Sequence, residues 1–253
     1  MRLLALTAAA VIAAQAEAQS APSGLPIVTD RPSFSDAPFV IPRGHWQIES
    51  GLTFTDLGRG RRLNTYGESL VRMPVSERLE LRLLNVTYGQ FEGSARGSGL
   101  QDLGLGVKWK LLNARSGRPD LALLLQATVD SGADAFRTNR AQPTAKLAFY
   151  FPTDAKTGIG GNLNLSDLGP YGGRYTQYAA SLYVSRTFDG RTSGFLETFR
   201  VWPVSKGGPN PTFVNTGVLY LLNPRTQIDV RIATALNRPR DGWFVGAGVS
   251  YRF

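Results

Sequence analysis

Two short runs place opposite charges two residues apart, Glu80-Leu81-Arg82 and Asp229-Val230-Arg231. In an extended chain, residues i and i+2 project to the same side. Each run therefore sets a carboxylate beside a guanidinium on one face, where the pair either grips a polar solute or forms an interior ion pair. Other chemistry finds little support. The single histidine, His45, precedes the first expected strand and has no Ser or Asp partner in view, so a lipid hydrolase using it as base is the weakest reading. There is no cysteine, and no His/Cys cluster for a metal. No catalytic residue, metal or cofactor is expected. Gly104-Leu105-Gly106 and Gly246-Ala247-Gly248 look like phosphate-loop fragments. They fall inside extended runs, not before a helix, and read instead as small inward residues that leave lumen space.

These groups are positioned by a period-two pattern. Trp46, Ile48, Ser50, Leu52 and Phe54 alternate with Gln47, Glu49, Gly51 and Thr53. At the other end, Trp243, Val245, Ala247, Val249, Tyr251 and Phe253 alternate with Phe244, Gly246, Gly248, Ser250 and Arg252. Clear repeats at 100–111 and 226–236, with weaker ones at 63–73, 79–88, 120–130, 143–151, 157–165, 175–187, 193–202 and 212–222, complete about twelve strands. They are long enough to cross a bilayer when tilted. Tight turns at 74–77, 152–155, 189–191 and 223–225 alternate with longer loops at 55–62, 89–99, 131–142, 166–174, 203–211 and 237–242. The expectation is an all-β, transmembrane, antiparallel up-and-down barrel with short periplasmic turns and longer extracellular loops.

Ahead of it, residues 1–18 read as a signal peptide: Arg2, an apolar run from Leu3 to Ala14, then Ala16-Glu17-Ala18 as the cleavage site. Residues 19–44, rich in Pro, Ser and Asp, read as an irregular periplasmic segment or a plug, and 45–253 as the barrel. Trp46, Trp109, Phe151, Tyr251 and Phe253 fall at the periplasmic strand ends, and Trp202 and Trp243 at the outer ends, as two interfacial girdles.

With the apolar phase facing lipid, the lumen-lining candidates are Arg72, Glu80, Arg82, Asp102, Lys108, Lys110, Lys146, Glu197, Asp229, Arg231 and Arg252, together with Glu49 and Glu68. Their charges nearly cancel. The net charge of +9 resides instead in the outer loops. There Arg61, Arg62, Arg238 and Arg240 are candidates for lipopolysaccharide contact, since guanidinium groups match phosphate oxygens in pairs. Nucleic-acid binding is not expected, because no recognised motif or basic helix is present.

Several segments resemble a known family. They are Thr29-Asp30-Arg31-Pro32-Ser33-Phe34-Ser35, Pro38-Phe39-Val40, the run from Pro42 to Gly51, Glu77-Arg78-Leu79-Glu80-Leu81-Arg82, Gly99-Leu100-Gln101-Asp102-Leu103, and Trp243 to Phe253. Together they resemble the outer-membrane proteins called "MetA-pathway of phenol degradation" or "transporter". The terminal Tyr251-Arg252-Phe253 resembles the signal read by the barrel assembly machinery. The resemblance implies an outer-membrane location and passage of small, aromatic or hydrophobic molecules by diffusion through the lumen. It supplies no binding residues. The alternative from the residues themselves is a non-conducting structural or lipopolysaccharide-interacting barrel.

Overall fold

A computed structural model describes residues 26–94, 96–115, 117–170, 173–237 and 242–253. The expected signal peptide lies outside them. So do Arg238 and Arg240.

Among the described residues, the strands in chain order are β1 (Gln47–Gly58), β2 (Arg61–Pro74), β3 (Leu79–Gly93), β4 (Gly97–Leu100), β5 (Gly104–Leu112), β6 (Asp120–Thr128) and β7 (Gln142–Pro152). They continue as β8 (Thr157–Leu168), β9 (Tyr175–Thr187), β10 (Thr192–Trp202), β11 (Thr212–Asn223), β12 (Thr226–Ala235) and β13 (Trp243–Arg252). Neighbours pair antiparallel, and β1 pairs with both β2 and β13, which closes the sheet. The short β4 and the longer β5 follow one another along the same side of β3, so the wall is a closed barrel of twelve staves. Closure satisfies every strand edge, which an apolar surround requires.

Alternation decides the faces. Leu163 is 59% exposed and Val230 55%, on the outward phase. Glu80 and Lys108, on the inward phase, are 0% exposed. Trp46, Trp109 and Trp243 stand on the outer surface near strand ends.

The wall departs from the sequence expectation in three places. The run 100–111 is not one strand: residues 101–103 interrupt it, and Asp102 therefore belongs to a connection and not to the inner face of a stave. Opposite the break, Asn85 takes a left-handed conformation (φ 62°), which shifts the phase of β3 by one residue. The loop expected at 55–62 is a tight turn at Arg59-Gly60, with φ of 55° and 72°. Two consecutive left-handed residues suit a two-residue hairpin, so β1 and β2 run on past the expected strand ends. The loop expected at 89–99 shrinks likewise, as β3 reaches Gly93 and β4 starts at Gly97.

Candidate functional site

The lumen is filled from one end by residues 26–45. The Ile27 amide donates to the Pro224 carbonyl at the end that also carries Phe253. The chain climbs to mid-barrel around Pro32–Ser35 and returns, so that the imidazole Nδ1 of His45 lies 2.7 Å from the Phe253 carbonyl. That contact places His45 in an end-fastening role.

A segment without a periodic pattern cannot satisfy its backbone in a ladder, so wall side chains do it. Glu49 accepts from the amides of Asp30 and Arg31 at 2.9 Å each through Oε2. Glu197 accepts from the amides of Phe34 (2.8 Å) and Ser35 (3.0 Å), from Ser35 Oγ (2.6 Å) and from Asn215 Nδ2 (2.8 Å). Glu80 accepts from the Ile41 amide at 3.1 Å. In the other direction, Arg72 donates to the Phe39 carbonyl (2.7 Å), Lys108 to that of Ala37 (2.8 Å) and Arg231 to that of Pro32 (2.9 Å).

Charges lock the arrangement. Arg82 Nη1 meets Asp30 Oδ2 at 2.6 Å, and Arg82 Nη2 meets Asp36 Oδ1 at 2.9 Å. Lys108 Nζ lies 2.9 Å from Asp30 Oδ2, and Lys146 Nζ 2.6 Å from Asp36 Oδ2. Burial works against the Asp30 charge, yet Arg72, Lys108 and Arg82 outweigh it and hold its carboxyl well below the usual range. Asp36 behaves the same way: burial opposes its charge, and Lys146 and Arg82 overcome it. Arg31 reaches β2 and β12, 2.9 Å from Glu68 and 3.5 Å from Asp229.

Glycines make room for that guanidinium. Gly51 and Gly248 face each other across β1 and β13, and a Cβ on either would collide with Arg31. The inward glycines thus hold segment side chains where the sequence suggested open lumen. The Cβ directions of Gly104 and Gly106 are likewise taken, by Leu84 and Gln126.

Of the lumen candidates, Arg72, Glu80, Arg82, Lys108, Lys146 and Glu197 converge on the segment. Asp229 and Arg231 do so through Arg31 and Pro32. Lys110 stands nearer the rim, 3.0 Å from Asp120, with Phe39 beneath its ammonium at 5.4 Å. Arg252 is buried beside a cavity of about 200 Å³ also lined by Val28, Ile41 and Gln47. Asp102 has a different task. It accepts from the amides of Ser131 (3.1 Å), Gly132 (2.8 Å) and Thr138 (3.0 Å) and from Thr138 Oγ1 (2.7 Å). This clamps the loop after β6, whose Phe136 stacks on Phe91 at 5.0 Å against the inner face of β3. Arg61 and Arg62 are exposed at the opposite end from Phe253, on β2 itself.

The sequence reading missed an aromatic ladder. Phe34 stacks on Phe199 (4.2 Å, 2° between planes), Phe199 on Phe213 (4.9 Å), and Phe213 nears Phe244 (6.1 Å), which lies under Arg231. The inward phase of Phe244 was legible, but the partner Phe34 comes from an unpatterned segment. A second cavity of about 320 Å³ lies between the segment and the β7–β11 wall, lined by Phe39, Tyr150, Tyr183 and Phe195 among others.

Comparison with known proteins adds three findings. A family model described as "Putative MetA-pathway of phenol degradation" matches residues 29–253. No curated protein matches the chain by sequence. Among solved structures, an outer membrane channel from Pseudomonas putida F1 superposes with a TM-score of 0.63 at 17% identity, over 85% of this chain and 97% of that one. The NanC porin gives 0.58 at 9% identity, over 81% and 98%. The KdgM porin, solved with disordered oligogalacturonate, gives 0.54 at 10%, over 82% and 99%. At these identities the likeness concerns the fold, that of an outer-membrane β-barrel.

Proposed function

The chain belongs to the putative MetA-pathway of phenol degradation family, and on that premise we propose that it is an outer-membrane channel. It passes small aromatic or hydrophobic molecules by diffusion through its lumen, with residues 26–44 as a plug. The observation that carries this reading is the row Phe244–Phe213–Phe199–Phe34, which runs around the inner wall from β13 past β11 and β10 to the plug. With Phe34 withdrawn, the face of Phe199 that it covers becomes free to stack against a planar solute. The porin-type barrels that share the fold support the same reading.

The test is flux. Purified barrel in liposomes should admit phenol-sized aromatics faster than sugars of equal mass, and Phe199→Ala with Phe213→Ala should narrow that preference. A folded barrel that passes neither solute would sink the proposal.

Two partners complete it. Exposed Arg61 and Arg62 contact lipopolysaccharide phosphates, and Phe253 engages the assembly machinery. Arg61→Gln with Arg62→Gln should weaken lipopolysaccharide retention without changing flux; unchanged retention removes that partner. Deleting Phe253 should slow insertion, and normal insertion would remove the other.

A further inference from the structure

The cations that hold the segment differ in what else they have. Arg72 is satisfied by the wall: it bonds Glu80 at 2.8 Å and Glu49 at 3.1 Å. Arg82 keeps a longer contact of 3.4 Å with Glu80. Lys108 and Lys146 have ion pairs with the segment alone, to Asp30 and Asp36. Among the described residues, no wall carboxylate forms an ion pair with either ammonium. Lys108 is fully buried, and an ammonium left there without an anion is strongly disfavoured. The wall therefore presents a cationic site that favours an anion.

The shape of that anion is written in the occupant. One guanidinium bonds both carboxylates, Asp30 through Nη1 and Asp36 through Nη2. They sit side by side, as the two ends of a short dicarboxylate do. Each also has its own ammonium behind it.

We infer that the lumen contains a binding site for small organic dicarboxylates, built by Arg82, Lys108 and Lys146, and that Asp30 and Asp36 fill it as a built-in competitor. A solute carrying two carboxylates replaces two carboxylates, so the exchange buries no new unpaired charge. A neutral solute of the same size cannot make the exchange, because it would strand the lysines. The plug is thereby dislodged by this solute class alone, and a dicarboxylate acts as the opening ligand that widens the path for the neutral solutes the channel passes. Because the competitor is tethered, its effective concentration is high, and the free solute acts in the millimolar range. This deepens the channel reading and rests on it for what crosses the membrane; the site itself does not need flux.

The chain has no cysteine, so Ala37→Cys introduces a single thiol into the plug. Barrel folding is verified by heat-modifiable migration on a gel. In detergent, millimolar succinate should speed labelling of that thiol by a bulky maleimide about tenfold, and succinamide should not. Adding Lys108→Met and Lys146→Met should remove the difference. Equal labelling with succinate and succinamide overturns the inference, as does a succinate effect that survives loss of both lysines. Should the lysine variant not fold, Asp30→Asn with Asp36→Asn provides the second reading: radiolabelled succinate should bind about tenfold more tightly than to the parent chain, and unchanged binding overturns the inference. A barrel that binds succinate yet passes nothing would reject the channel and leave this site standing. Flux indifferent to dicarboxylates in a barrel that does not bind them would do the reverse.

Discussion

Asp30 and Arg82 meet at 2.6 Å in the interior of the barrel, one from an irregular segment and the other from β3. The pair ties the least patterned part of the described chain to the barrel wall. Both side chains are buried, and each charge is offset by the other.

Breaking that tie should loosen the segment before it harms the wall. Asp30→Asn removes the anion facing Lys108 and one of the carboxylates facing Arg82. Docking of residues 29–41 should weaken by about 3–5 kcal/mol, the usual cost of stranding one partner of a buried pair. Hydrogen exchange would register it at the Ala37 amide, which donates to Asp30 Oδ1 at 2.8 Å, while amides of the β8–β10 ladder stay protected. Unchanged exchange at Ala37 would refute this.

The glycine cradle makes a steric prediction. Gly51→Ala pushes a methyl into Arg31 and into the Ala247 carbonyl, so the guanidinium must leave Glu68 and Asp229. Overpacking of this kind costs about 1–3 kcal/mol. Gly190→Ala, where nothing lies within 4 Å, should cost almost nothing. Thermal unfolding midpoints of the two variants provide the comparison, and equal midpoints would contradict the cradle.

Acid should release the plug late. Asp30 faces Arg72, Lys108 and Arg82, and Asp36 faces Lys146, Arg82 and Lys108, with Asp30 opposing the Asp36 charge. Both carboxyls are held below their ordinary value. A group depressed in the folded state contributes its stabilisation above the ordinary carboxyl pKa and loses it as pH falls through the depressed value. The segment should therefore stay docked from neutral pH to about 4, the ordinary value for aspartate, and leave only below that. Thiol labelling of Ala37→Cys across pH reads the transition. Release near pH 6 would contradict the assignment.

Asp102 should govern the mouth and not the interior. Asp102→Ala leaves the amides of Ser131, Gly132 and Thr138 without their acceptor, at about 1–3 kcal/mol for a buried donor left unpaired. The loop should detach and Phe136 should leave Phe91. Conductance should rise at the outer mouth with Ala37→Cys labelling unchanged. Faster labelling instead would place Asp102 among the plug contacts.

What the sequence determined by itself was the wall. Alternation is local, because successive side chains of any extended run point to opposite faces. The series from Trp243 to Phe253 therefore fixed its outward residues without knowledge of its neighbours. The same logic placed Glu80, Arg82 and Lys108 inside, while Glu197 and Arg200, of opposite phase on one strand, left their own faces open. Tertiary structure decided their partners. Asp30 and Arg82 are far apart along the chain, and the plug carries no period to announce its path. It also decided the break at 101–103, since the left-handed turn of Asn85 on β3 sets the phase that β4 and β5 must follow. The inward glycines were legible as small residues. Whether the room they leave holds water or Arg31 depends on a chain folding back through the barrel, and only the closed structure brings the two together.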